Sequence, residues 1–137
     1  MVVGTALIVC AGWRQPYNQN ELQQLNVYGA DTIAEIVGGT RQPPLDPLLG
    51  AGVQRLAGVG QLQQRLVPML AGAGTLIVLS AVFLRAGMGA AGAAGVWLLA
   101  TAPLMVRYSA YARPYALPVL LMVLLVYFTQ RWLAGRR

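Results

Sequence analysis

Apolar positions in this chain fall into long uncharged blocks, not into the short alternating runs of a sheet. The blocks are Val2 to Trp13, Leu66 to Leu84, Gly87 to Val106 and Pro114 to Gln130. About 20 uncharged residues in a helix cross a hydrocarbon core roughly 30 Å thick. The two central blocks reach that length and are separated by little more than Arg85, which predicts a helical hairpin. Pro114 to Gln130 is shorter, but it is rich in Leu and Val and runs into Gln130-Arg131-Trp132, an interfacial anchor. Val2 to Trp13 has only a dozen residues, and no basic residue precedes it as a signal peptide would require. It is expected to be a spanning helix whose beginning is missing.

The polar stretch between these blocks, residues 14–65, carries every carboxylate of the chain: Glu21, Asp31, Glu35 and Asp46. Asn20 and Gln23 resemble a capping box, and Leu22, Leu25, Ile33, Ile36 and Val37 recur at helical spacing, predicting a helix from about Glu21 to Val37. Gly38-Gly39 stops it, and Gln42-Pro43-Pro44 makes an extended elbow, because proline disfavours helix in the residue before it. Asp46 as N-cap and Pro47 at the first helical position then restart a helix. Its Leu45, Leu48, Leu49, Val53, Leu56 and Val59 share one face, with Gln54 and Arg55 on another, as in a helix lying along a membrane surface. The expected architecture is all-α: a polytopic transmembrane bundle of about four spans. Residues 1–13 form its first, clipped helix, 14–65 an external loop with two short amphipathic helices, and 66–137 spans two to four with a short cytoplasmic tail. The small residues from Gly87 to Gly95 predict close helix packing.

Charge sharpens this picture. Only 10% of residues are charged, where soluble domains carry about a quarter. All ten basic residues are Arg, and the net charge is +6. Arginine grips phosphate and carboxylate through a rigid fork of donors, although GC-rich coding also favours it. These Arg residues are scattered between apolar blocks without a basic stripe, which sets nucleic acid aside as a partner. Cys10, the one cysteine, lies in an apolar run and is expected to be a small core residue. With no histidine, a divalent metal stays open as a cofactor only through carboxylates, carbonyls or phosphates; no metal ligand and no other cofactor is assigned.

Two polar clusters could carry chemistry. In Trp13 to Glu21, a carboxylate leaving the membrane beside apolar surroundings can act as a general base; equally, it can be an acid favourably placed at a helix start. In Arg107 to Tyr115, three Tyr and two Arg (Tyr108, Tyr111, Tyr115, Arg107, Arg113) form either an aromatic belt with snorkelling cations or a site for phosphate and sugar.

Four motifs occur in order: an aromatic residue followed by Asn20-Glu21; Arg41-Gln42-Pro43-Pro44-Leu45; Gln64-Arg65-Leu66-Val67-Pro68; and Tyr108-Ser109 followed by Ala112-Arg113-Pro114-Tyr115-Ala116-Leu117. Together they resemble the N-terminal part of the dolichyl-phosphate-mannose protein mannosyltransferases, within the GT-C superfamily of membrane glycosyltransferases. The resemblance covers nearly the whole chain but only the front of such proteins, so the chain is expected to be a fragment that is inactive alone. It implies an external first loop in a membrane expected to be the bacterial plasma membrane, meeting a polyprenyl-phosphate sugar donor and an unknown acceptor. Where relatives carry Asp-Glu, this chain reads Asn20-Glu21, leaving Glu21 as the base and Asn20 to orient. Arg113, helped by Arg41 or Arg65, would stabilise the phosphate leaving group, with Asp46, Tyr108 and Tyr115 completing the binding residues. Relatives often have a Glu two residues before the Arg, where this chain has Tyr111. Placing the loop outside puts six Arg outside against four inside, the reverse of the usual bias. The competing expectations are a non-enzymatic membrane protein, acting as scaffold or assembly subunit, and a transporter fragment.

Overall fold

The computed structural model describes residues 2–14, 16–38 and 43–135. These form nine helices: α1 (Val2–Arg14), α2 (Gln19–Tyr28), α3 (Ile33–Gly38), α4 (Leu45–Ala57), α5 (Gln61–Gln64), α6 (Leu66–Arg85), α7 (Gly89–Thr101), α8 (Pro103–Ala110) and α9 (Ala116–Ala134). The expected all-α class holds. Two helices, α6 and α9, are long and apolar enough to cross a membrane, and α7 with α8 makes a third if the bent pair counts as one. α1 has 13 residues, about 20 Å of helix, which is short of a full crossing.

The block from Gly87 to Val106 is therefore not the unbroken span its composition predicts. Pro103 has no N–H to give the ladder and holds Ala102 extended, at φ −62° and ψ 126°, so the axis turns by 57° between α7 and α8. The end of α6 is the opposite case, closed by local chemistry. Gly87 takes φ +69°, which lets its own N–H reach Leu84 O and the Met88 N–H reach Phe83 O at 3.0 Å, the paired bonds of a Schellman cap.

Glycine decides how near these helices come. α1 buries Gly4, Ile8 and Gly12, one residue per turn along a single stripe. A Cβ on Gly4 would lie 2.5 Å from Ala100 Cβ, and one on Gly12 would lie 2.9 Å from Met69 Sδ. On α6, a Cβ at Gly72 would meet Ser109 Cβ at 2.4 Å. Between these close approaches, Ile8, Met69, Leu76, Val96 and Ala100 form the core. The same neighbours fix the topology. Phe83 lies by Gly92 and Gly72 by Ser109, so the α7–α8 pair runs back along α6; Gly74 lies by Leu120 and Arg85 over Tyr127, so α9 runs parallel to α6. The polar segment before α6 and the corner between α8 and α9 consequently share one end of the bundle. Cys10, expected in the core, is exposed, because the buried stripe of α1 passes through positions 4, 8 and 12 and leaves position 10 outside.

In the polar segment the single helix expected from Glu21 to Val37 is two. A second capping box separates them: Glu35 N–H donates to Thr32 Oγ1 while the Glu35 carboxylate accepts from Thr32 N–H, both at 3.2 Å. At the first helix the box is formed by Asn18, not Asn20. The Asn18 side chain accepts from Glu21 N–H at 2.8 Å and its own N–H donates to Glu21 Oε2. α4 starts two residues earlier than expected, with Pro44 as its cap and no side-chain cap bond. Asp46 is therefore inside the first turn and turned inward, and the helix stops at Ala57, short of Val59.

Candidate functional site

Glu21 is the third residue of α2, and its side chain, like that of Arg65, has 0% exposure. Arg65 joins α5 to α6 and reaches back across 44 residues with two parallel bonds, Nε to Oε1 and Nη2 to Oε2, both 3.0 Å. Such a fork is the strongest geometry available to a guanidinium and a carboxylate. The surroundings fit both charges. Arg65 Nη1 donates to Gly12 O at 2.7 Å, one of the carbonyls left open at the negative end of α1, while Glu21 sits at the positive end of α2. Tyr17 lies 4.9 Å from the guanidinium with its ring and donates its hydroxyl to Gln64 Oε1.

A fourth bond to the Glu21 carboxylate extends the cluster. The backbone N–H of Ala112 donates to Glu21 Oε1 at 2.9 Å across 91 residues of sequence. Ala112 belongs to the corner between α8 and α9, so Glu21 ties the start of the polar segment to the Arg107–Tyr115 corner. On the outer side of that corner, Arg113 Nη1 donates to Tyr115 OH at 3.0 Å, Tyr108 meets Tyr115 edge to face at 5.1 Å, and Arg107 Nε donates to Tyr111 OH at 2.8 Å. Tyr108 and Tyr115 are exposed, and Arg113 is half-buried.

The candidate residues thus separate into three groups. Glu21 and Arg65 share the buried centre, while Tyr108, Arg113 and Tyr115 form an outward patch joined to it through Ala112. Asp46 is elsewhere: it is 1% exposed, and its Oδ2 accepts from Tyr28 OH at 2.9 Å and Gln24 Nε2 at 3.4 Å, while Oδ1 has no hydrogen-bond partner among the described residues. Burial pushes the Asp46 carboxyl above its ordinary range, against the lowering effect of the bonds from Tyr28 and Gln24. Burial also pushes the Tyr28 phenol up, assisted by the neighbouring Asp46. Asn20 is exposed, and Arg41 lies outside the described residues.

Sequence reasoning did not single out Gln24 and Tyr28. They have a readable signal: with Glu21 they occupy positions i, i+3 and i+7, a polar stripe on the face that α2 buries. The roles of Gly12 O and Ala112 N–H are backbone contacts without any residue-type signal. Among the described residues no three His, Cys, Asp or Glu side chains gather as a metal site, and Glu21 and Asp46 belong to separate clusters. A cleft of about 300 Å³ between α6 and α7, lined by Phe83, Gly92, Val96 and Trp97, lies at the other end of α6 from Arg65.

The class these features define is an all-helical protein with two to three helices fit to cross a membrane and a buried ion pair at one end of the bundle. No family model, no curated protein and no solved structure matches the chain.

Proposed function

We propose that the chain is an integral membrane protein, the N-terminal portion of a glycosyltransferase that moves a sugar from a polyprenyl-phosphate donor to an acceptor. The observation that carries the reading is the Glu21 to Ala112 bond, which joins two of the four motifs behind the family resemblance, far apart in sequence. In this reading α1 is the first of four spans and the shared polar end of the bundle is external. The outward patch supplies what the reaction needs at the leaving group. As the acceptor oxygen attacks the anomeric carbon, the bond from that carbon to the phosphate oxygen breaks, and negative charge collects on the polyprenyl phosphate. Arg113 offers the cation, and Tyr108 and Tyr115 offer hydroxyls and ring faces to phosphate and sugar.

Glu21 enters differently from a free base. Its two oxygens accept four hydrogen bonds, two of them from Arg65, so it positions the corner, and it takes the acceptor proton only when Arg65 turns away from it. That same closure favours a second reading, a non-enzymatic membrane scaffold in which the ion pair is structural and Arg113 and its tyrosines are interfacial anchors.

Binding of a polyprenyl-phosphate sugar to the protein in nanodiscs separates the two. Saturable binding that weakens about ten- to hundredfold in Arg113→Ala, the worth of one or two charge-assisted hydrogen bonds, is the expected result. Equal saturable binding by wild type and variant would remove the phosphate site at Arg113 and leave the scaffold; no binding by either would leave the scaffold or a fragment too short to build the site. Where transfer is measured on the whole enzyme, Glu21→Gln and Arg113→Ala are each expected to abolish it.

A further inference from the structure

α4 is built inside out. Its buried face carries Asp46, Pro47, Gly50 and Ala51, and Gln54 also points its Oε1 out of reach of solvent. Its outward face carries Leu45, Leu49 and Leu56, the last 92% exposed. Positions 45, 49, 52 and 56 lie along one side of a helix, so this is a continuous apolar face and not scattered residues. α3 beside it also turns Ile33 and Val37 outward. In water the arrangement would be reversed, because leaving Leu side chains exposed while burying a carboxylate costs free energy on both counts.

The charges that could interrupt this face are turned aside. Arg55 folds away to donate Nη2 to Ala30 O at 3.1 Å and Asp31 O at 2.9 Å, capping the break between α2 and α3. α2 is more polar outward, with Gln19, Asn20, Gln23 and Asn26 around a single exposed leucine, Leu22. Between the two helices lie Tyr28, Gln24 and Asp46, and the Tyr28 ring is pressed so close to Gly50 that a Cβ there would lie 2.5 Å from it. α4 also packs on α6, one of the two helices long enough to cross a membrane.

We propose that the outward face of α4, with α3 beside it, seats among acyl chains at the bilayer interface while α2 stays in water, the Asp46 cluster marking the boundary. The occupant of the apolar face is lipid. The lack of any charge at positions 45, 49, 52 and 56 and the packing of α4 on the apolar α6 argue for the bilayer over a second protein surface. The inference rests on the membrane reading and is independent of sugar transfer.

Spin labels at single cysteines test it in the full chain reconstituted in lipid, in a Cys10→Ser background that removes the exposed native thiol. Labels are placed by Leu49→Cys and Leu56→Cys on α4, Gln23→Cys and Asn26→Cys on α2, and Leu125→Cys on α9 as the lipid reference. Power saturation compares collisions with oxygen, which concentrates in lipid, and with a water-soluble nickel chelate. The expected result is oxygen-dominated collision at 49 and 56, as at 125, and nickel-dominated collision at 23 and 26. Nickel access at 49 and 56 equal to that at 23 would overturn the proposal. So would shielding from both reagents, which would mean that protein covers the face. Nickel access at 125 as well would overturn the membrane reading itself.

Discussion

At the scale of single residues, the buried Glu21–Arg65 pair is the most consequential contact in the molecule. Breaking a buried pair from one side leaves a charge without a partner in low dielectric, which costs about 3–5 kcal/mol. Glu21→Gln and Arg65→Met are each expected to destabilise by about that much, read as unfolding free energy in mild detergent. The double change to Leu and Met should cost clearly less than the sum of the two single changes, since it removes both charges together. An additive double mutant would show that the pair is not coupled. Asp46 gives a different signature. Its carboxyl is held above the ordinary value of 3.8, chiefly by burial, so folding favours its protonated form. Its contribution is complete below about pH 3.8 and is lost as pH rises through the higher folded value. Tyr28 and Gln24 are the groups bonded to it from α2, and Glu21 is the other acid near Tyr28. The thermal stability of wild type should fall with rising pH across that window, and Asp46→Asn should flatten the slope; an unchanged slope would assign the dependence elsewhere.

At the scale of elements, glycines separate into those that permit contact and those that do not. Gly72 faces Ser109 with no room for a methyl group, so Gly72→Ala should push α8 from α6 and destabilise by about 1–3 kcal/mol. Gly52 has nothing within 4 Å, so Gly52→Ala should be neutral or stabilise α4 by roughly 0.5–1 kcal/mol. Equal effects in the same unfolding measurement would contradict this packing. The legibility of the elements in the sequence has the same physical basis. The span Leu66 to Leu84 needs only length and apolarity, and α6 matches it almost residue for residue. The bend at Ala102 is masked by the apolar block around it, although Pro103 stands there in plain view. The break between α2 and α3 is marked by Thr32 and Glu35, three residues apart, but the apolar spacing on either side conceals it. In both cases a backbone-specific residue outranks the hydrophobic pattern.

At the scale of the whole molecule, the sequence displays two polar segments interrupting the apolar blocks. That they meet depends on α7–α8 running back along α6, which brings Ala112 to Glu21; no property of Ala112 as a residue announces it. The inward turn of Asp46 is hidden for a related reason, since an acid beside a proline reads as a helix cap whether or not a tyrosine waits on another helix. The long-range bonds of Glu21 also impose an order on synthesis. The carboxylate leaves the ribosome 44 residues before Arg65 and 91 residues before Ala112. While it waits it carries an unpaired charge beside a short apolar helix, and its guanidinium partner arrives just ahead of the first long one. The contact of Arg65 with Gly12 O at the end of α1 and its fork on Glu21 therefore form only after residue 65 has been made, and the Ala112 bond follows when the corner between α8 and α9 has been translated.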